Sequence, residues 1–382
     1  MALTNVPSLE TSHYKDALRF SINTGGNLLV LGQAGLGKTE MAQQVVSEMG
    51  YNAIYLNLSV LEYPDLVGLQ TIVMDEKLGR KVVEYASPKF LPFLPPGGSK
   101  DHGRRNVIIC DELDKAKDEL QNPLLELLQF HTMNGSPIDV QSFVLTGNLP
   151  DEGAFSRPIS HALTNRCQVY QLKHNVTAWL NWAIDNHINP LVVGFLSRNP
   201  HLLSQPPVSG DPTAYNRPSP RSWSMTARDL DVSLNETGYL ASSDFQVQLV
   251  MGRVGIPAAL QFKVWLDHYR VLAPIVNDLC KEGKRPPKTM ESDKTIVCAI
   301  SACSEVFKFC RKEVSDKAKH KAQLKKMVEN VFSWILTLTP DFQIAAVKTN
   351  FAVKEIKEHG LADFPLFTEA FTKVHIAQNT LT

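Results

Sequence analysis

The chain has 382 residues, of which 43% are hydrophobic and 20% are charged, a composition typical of soluble globular proteins. Lysine plus arginine and aspartate plus glutamate each number 39, which excludes a strong overall attraction to nucleic acid or to acidic membranes. The six cysteines show no C-x-x-C spacing, no apolar run is long enough to span a membrane, and the N-terminus lacks the pattern of a signal peptide. We therefore expect a cytoplasmic protein without structural zinc.

The first 175 residues alternate apolar runs of strand length with helical patterns. Helical patterns lie at 12–23, 40–49 and 119–130, and the strand candidates are 27–31, 53–58, 106–110, 142–146 and 168–172. Residues 59–105 are rich in proline and predict irregular loops. The alternation predicts an α/β fold with a parallel sheet that helices cover on both faces.

Helical patterns dominate from residue 176 onward, and residues 203–220 are rich in proline, serine and glycine, as in an exposed connector. The sequence thus predicts three parts. They are an α/β domain over 1–175, an α-helical domain over 176–280, and a helical C-terminal extension over 281–382 whose role the sequence leaves open.

A phosphate-binding loop is the strongest motif of the chain. It follows a predicted strand, precedes a predicted helix and fits the pattern G-x-x-x-x-G-K-[ST]. Its residues are Gly32, Gln33, Ala34, Gly35, Leu36, Gly37, Lys38 and Thr39. In such a loop backbone N–H groups surround phosphate oxygens, the lysine reaches the outer phosphates and the threonine hydroxyl can bind Mg2+.

Two acids and an amide follow later apolar strands. Asp111 and Glu112 follow 107–110; Asp111 is the candidate for holding magnesium, and Glu112 for orienting or deprotonating the attacking water. Asn148 follows 142–146 and would face the ligand crevice at the end of an internal strand, where its amide could fix that water.

Arginines can stabilise the charge that spreads over a phosphoryl group during its transfer. Arg166 precedes the last predicted strand of the first domain, and Arg221 opens a helix of the second. Arg157 is a second candidate for the role of Arg166.

These motifs, in this order, resemble those of the AAA+ ATPases. The stretches are GQAGLGKT, VIICDELDK, VLTGN, ALTNRC and SPRSW, and the resemblance covers roughly residues 10–275. Within that superfamily the segments 63–68, 85–92, 121–128 and 252–262 are similar to the MoxR-type group.

The resemblance implies a role for each motif and a way of working. Residues 32–39 would be Walker A, Asp111 and Glu112 Walker B, and Asn148 sensor 1. Arg166 would be the arginine finger that reaches the neighbouring subunit's nucleotide, and Arg221 would be sensor 2 in the helical lid. The cofactors would be ATP and Mg2+. Such proteins form homo-oligomeric, typically hexameric rings that remodel a protein client, often one with a von Willebrand A domain.

Two other functions stay open at this stage. A basic stretch over 311–326 would suit a nucleic-acid motor or loader, although the neutral overall charge and the absence of a recognisable DNA-binding module disfavour it. A nucleotide-regulated scaffold with little turnover is the other, and Glu112, Asn148 and Arg166 argue against it.

Overall fold

The computed structural model of the protein describes residues 6–95, 106–149, 157–205, 216–235, 243–311, 316–351, 356 and 360–379. Contacts between Cα atoms divide the chain into two compact units, Met1–Asn175 and Val176–Thr382. Among the described residues, no helix combines the length and the apolar character needed to cross a membrane.

The first unit contains the β-strands. They are β1 (Ser8–Glu10), β2 (Asn27–Gly32), β3 (Asn52–Asn57), β4 (Leu69–Asp75), β5 (Arg80–Ala86), β6 (Asn106–Asp111), β7 (Thr132–Met133), β8 (Ser136–Pro137), β9 (Ser142–Gly147) and β10 (Gln168–Lys173). Its helices are α1 (Thr11–Thr24), α2 (Lys38–Glu48), α3 (Tyr63–Val67), α4 (Asp118–Phe130) and α5 (His161–Thr164). Six strands form one parallel sheet in the order β1-β10-β2-β9-β6-β3, as the sequence predicted for an α/β fold.

The sheet separates two hydrophobic cores. Along β2, Leu29 and Leu31 pack into the core that contains the buried leucines of α4, whereas Leu28 and Val30 pack into the core with α1 and α2. Successive side chains of a strand point to opposite faces, so one uninterrupted apolar run supplies both cores. This burial on both faces fixes the central strands, whose carboxyl ends carry the predicted site residues.

An exposed hairpin interrupts the region that we predicted to be irregular. Strands β4 and β5 pair antiparallel, with Ile72 opposite Val83, and both side chains are more than half exposed. In the turn, Asp75 Oδ1 accepts the backbone N–H groups of Lys77 (2.9 Å) and Leu78 (3.0 Å). The prediction of irregular structure was wrong for the short helix α3 and for the hairpin over 69–86. A two-stranded hairpin without a core needs no alternation of apolar and polar residues, so the sequence pattern did not indicate it. Residues 96–105 of that stretch lie outside the described part.

The second unit is helical. Its helices are α6 (Val176–Asp185), α7 (Pro190–Arg198), α8 (Pro220–Asn235), α9 (Ser243–Val254), α10 (Ile256–Glu282), α11 (Ser292–Cys310), α12 (Lys317–Ile335), α13 (Pro340–Asn350) and α14 (Pro365–Asn379). One core of buried side chains extends from Trp179 to Val374. The described residues on both sides of position 280 therefore share a core, and a division of this unit at that position stays a proposal.

Helix α7 lies at the centre of this core. The ring of Phe195 contacts those of Trp223 and Phe262, with centroids 5.6 and 5.0 Å apart. Its neighbour Gly194 allows α11 to approach closely, since a Cβ atom at this position would lie 2.6 Å from Cδ1 of Ile300. A glycine in mid-helix normally lowers stability, so close packing explains its presence here.

Candidate active site

The phosphate loop connects β2 to α2. Gly35 and Gly37 have φ values of 84° and 78°, in the left-handed region that favours glycine. A Cβ atom on Gly32 would lie 2.9 Å from the carbonyl oxygen of Leu172 in β10, so the loop also begins where only glycine fits. Helix α2 starts at Lys38 without a side-chain cap, and such a helix N-terminus offers its N–H groups and its dipole to an anion.

Lys38 is folded back over this loop. Its side chain donates from Nζ to the carbonyl oxygens of Gly32 (2.7 Å) and Gln33 (2.9 Å), and to Oδ1 of Asn148 (3.3 Å). The residue is only 8% exposed. Tyr14 in α1 donates from its hydroxyl to the Lys38 carbonyl oxygen at 2.9 Å. The fold thus brings together the predicted Walker A lysine and the predicted sensor 1 asparagine, from two neighbouring strands.

Asp111 is the last residue of β6, and one strand, β9, separates β6 from β2 in the sheet. Its Oδ1 atom accepts hydrogen bonds from the Thr146 hydroxyl and from the Glu112 backbone N–H (3.0 Å). Its Oδ2 atom accepts one from the Tyr55 hydroxyl at 3.0 Å. Three donors from three parts of the sheet hold this carboxylate in one orientation. The motif alone did not indicate Thr146 or Tyr55, because both reach Asp111 from other strands.

Glu112 adopts a left-handed backbone conformation, with φ 57° and ψ 42°. Such a conformation is uncommon for a non-glycine residue and occurs more often at functional sites. Partial burial raises the pKa of Glu112, but hydrogen bonds from Lys115 and Ser59 and the Lys115 charge outweigh burial, and the net pKa is lowered. The Lys115 Nζ atom lies 2.7 Å from the carboxylate. Glu112 is therefore ionised at neutral pH, which suits orienting a water molecule better than storing its proton.

Asn148 is held by a buried acid that the sequence analysis did not single out. Asp114 is 2% exposed, and its carboxylate accepts the backbone N–H of Asn148 at Oδ1 (2.8 Å) and its side-chain amide at Oδ2 (3.3 Å). Because Nδ2 donates to Asp114, the amide oxygen is on the side of Lys38, whose Nζ atom lies 3.3 Å away. A second acid two residues after the Walker B pair was the available signal, but its function depends on a contact with another strand.

Arg166 lies at the other end of the sheet. Its guanidinium donates from Nε to Oε1 of Gln129 (2.9 Å) and from NH1 to the carbonyl oxygen of Ala162 (2.8 Å). Its own carbonyl accepts from Nδ2 of Asn27, the first residue of β2, whereas the phosphate loop follows the last residue. A strand of six residues spans about 17 Å. Arg166 therefore does not reach the phosphate loop of its own chain in this structure.

The other two candidate arginines lie elsewhere. The Arg157 backbone N–H donates to the Asp114 carbonyl oxygen at 2.6 Å, and its side chain lies 3.8 Å from Asp118. Arg157 is thus close to Asp114, the residue that holds Asn148, whereas Arg166 is not. Arg221 is exposed in the first turn of α8, in the second unit. Its predicted role as sensor 2 stays a prediction.

Magnesium can be tested against the donor atoms at this site. Thr39 and Asp111 offer a hydroxyl and a carboxylate oxygen, the hard donors that Mg2+ prefers. The described residues contain no cluster of three or more His, Cys, Asp or Glu side chains suited to a metal ion. One or two protein ligands are enough for Mg2+ when substrate phosphates and water complete its coordination. Thr39 and Asp111 therefore fit the ion.

Comparison with known proteins gives a family match over the first unit. Residues 27–177 match the family described as "AAA domain (dynein-related subfamily)". No curated protein matches the chain. Among solved structures, a RuvB point mutant of Thermotoga maritima is 15% identical, with 72% of this chain and 79% of that chain covered and a TM-score of 0.31. A presumed ATPase of Cytophaga hutchinsonii is 14% identical, with 95% and 89% covered and a TM-score of 0.31. Likenesses this distant assign neither a substrate nor a partner.

Proposed function

Because the chain belongs to the AAA+ ATPases, in the group with a dynein-related AAA domain, we propose that it is a ring-forming motor of MoxR type that uses ATP hydrolysis to remodel a protein partner. The observation that carries the ATPase chemistry is the contact between Lys38 and Asn148. In this contact the Nζ atom of Lys38, the proposed phosphate-binding cation, lies 3.3 Å from the amide oxygen of the proposed water-positioning residue. The client would be a protein, for which a von Willebrand A domain is our specific expectation.

The roles of the site residues follow from their chemistry. Lys38 and the N–H groups of the loop bind the phosphates of ATP. Thr39 and Asp111 would hold Mg2+, which supplies positive charge to the phosphate oxygens when bound. Glu112 orients the attacking water by accepting a hydrogen bond from it, and Asn148 fixes the position of that water.

The placement of Arg166 supports an active site shared between subunits. It lies about one strand length from the phosphate loop of its own chain. An arginine that stabilises the charge on the γ-phosphoryl group must touch that group. Arg166 therefore acts in trans on a neighbour's nucleotide, and repetition of that head-to-tail contact closes a ring, for which we propose six copies. Arg221 acts as sensor 2 from the helical unit.

The β4–β5 hairpin supports a protein rather than a nucleic acid as the client. Ile72 is 73% exposed, and Met74 and Val83, also more than half exposed, share its face of the hairpin. Exposed apolar side chains that adjoin one another are typical of contacts with other proteins. Tyr85 and Lys81 share this face, but one aromatic and one basic side chain beside three apolar ones do not form a platform for stacking successive bases.

The test is ATPase rate against protein concentration, with native mass measured in parallel, for wild type and Arg166→Ala. We expect specific activity to rise as oligomers form, and the variant to assemble without turning over. Full activity in wild-type monomers would overturn the shared site. An active Arg166→Ala ring would rule out Arg166 as the trans arginine and leave Arg157 as the second candidate.

A further inference from the structure

The second unit contains a groove that is lined by none of the candidate ATPase-site residues. It lies between α10, α11 and α12 and has a volume of about 720 Å3, within the range of ligand-binding clefts. Its floor is formed by buried side chains, among them Val276, Cys280 and Ser301. Half-buried Phe309 and Met327 add to the apolar wall.

Each of the three helices contributes one lysine to this groove. They are Lys281 from α10, Lys308 from α11 and Lys326 from α12. Glu305 is the acid among the described lining residues, and it already pairs with Lys308 at 3.0 Å. Among the parts of the chain that the structure describes, Lys281 and Lys326 make no ion pair. The groove therefore combines an apolar floor with an excess of positive charge.

The arrangement of charge along α12 also indicates an excess of positive charge at the groove. Lys319, Gln323 and Lys326 lie at i, i+4 and i+7 and so share one face, and Gln323 and Lys326 line the groove. On the neighbouring face Lys321 pairs with Asp363 and Lys325 pairs with Glu329. The lysines that pair within the chain thus lie beside the groove face, and positive charge on that face continues for a helical turn beyond the groove.

We propose that this groove binds an acidic segment of a protein partner, whose apolar side chain enters the floor while its carboxylates meet Lys281 and Lys326. An elongated occupant is favoured because the unpaired charge extends beyond the groove to Lys319. An apolar anchor is favoured because the buried lining side chains are mostly apolar, and the Ser301 hydroxyl among them already donates to the Val297 carbonyl oxygen at 2.7 Å. The inference deepens the proposed function by giving the chemistry of one partner contact, and rests on it only for the existence of a protein partner.

The test uses a short fluorescent peptide of glutamates with leucines at helical spacing, and fluorescence anisotropy on the full chain at low salt. We expect the double variant Lys281→Glu and Lys326→Glu to bind the peptide about tenfold more weakly than wild type, because two attractions become repulsions. The matched control reverses two exposed lysines outside the groove, Lys173→Glu and Lys288→Glu, and should bind as wild type does. Replacing the leucines of the peptide by alanine should also weaken binding.

Three outcomes would overturn the proposal: equal binding by the groove and control variants, no loss when the leucines are removed, or preferential binding of a single-stranded oligonucleotide through the same lysines. The second would indicate attraction of any polyanion and the third a nucleic-acid surface. ATPase rate is measured on the same proteins. A chain that binds the peptide through the groove without turning over ATP would contradict the proposed function and leave this inference standing.

Discussion

Asp114 and Asn148 are joined by two hydrogen bonds, from the asparagine backbone N–H at 2.8 Å and from its side-chain amide at 3.3 Å. A buried carboxylate thus fixes both the backbone and the side-chain orientation of the residue that also contacts Lys38. In this arrangement Asp114 acts through Asn148, as a positioning residue.

Asp114→Asn should lower kcat while leaving nucleotide affinity nearly intact. The new amide cannot accept the Nδ2 bond of Asn148 on its nitrogen side, so one positioning contact is lost, and we expect kcat to fall about tenfold. Steady-state ATPase assays and nucleotide titrations separate the two effects. Asp185→Asn, at an exposed position of the second unit, is the control. A parallel loss of affinity and kcat would indicate collapse of the loop instead.

The ion pair between Lys115 and Glu112 makes a prediction about pH. Lys115→Met removes one cause of the lowered pKa of Glu112, so that pKa should rise toward its ordinary value. Because the folded pKa is lowered, the stabilisation is present above the unfolded-state value, about 4.3, and is lost as pH falls through the folded value. Urea unfolding should show wild type more stable at pH 7, by less than about 1 kcal/mol for so exposed a pair. A difference that persists in acid would contradict this assignment.

Mixing two inactive variants tests the shared site directly. Lys38→Ala lacks the phosphate-binding lysine and Arg166→Ala lacks the trans arginine, so each ring alone should be inactive. Equal mixing with random assembly pairs an intact loop with an intact arginine at about a quarter of the interfaces, which should restore about a quarter of wild-type turnover. Mixtures prepared without subunit exchange are the control. If Arg166 acted within its own chain, exchange would restore nothing.

The close approach of α7 and α11 predicts a coupled pair of substitutions. Gly194→Ala adds a methyl group 2.6 Å from Ile300 Cδ1, and we expect it to destabilise the second unit by about 1–3 kcal/mol despite the better helix propensity of alanine. Ile300→Val removes the opposing methyl group, so the double variant should cost less than the sum of the single changes. Thermal and urea unfolding measure this coupling. Strict additivity would mean that the helices move apart instead.

The sequence allowed the phosphate loop, the acidic strand end and the parallel sheet to be predicted because each depends on neighbouring residues. Asp114 and Thr146 were missed because their partners lie on other strands, and only the order of the sheet brings them together. The hairpin was missed because its apolar residues cover no core. Helix α10 continues through Pro274, a residue that normally disfavours a helix interior, because Leu272 and Val276 on either side of it pack in the second core.

Arg166 and the phosphate loop lie at opposite ends of β2, and this placement determines how many complete active sites an assembly contains. Under the proposed trans contact, a row of n subunits that has not closed contains n − 1 complete sites, because the terminal loop meets no arginine. Closure adds the last site without adding a subunit. Turnover per chain should therefore approach its full value gradually as rows lengthen and then rise once more at closure, whereas a dimer with twofold symmetry need not complete any site at all.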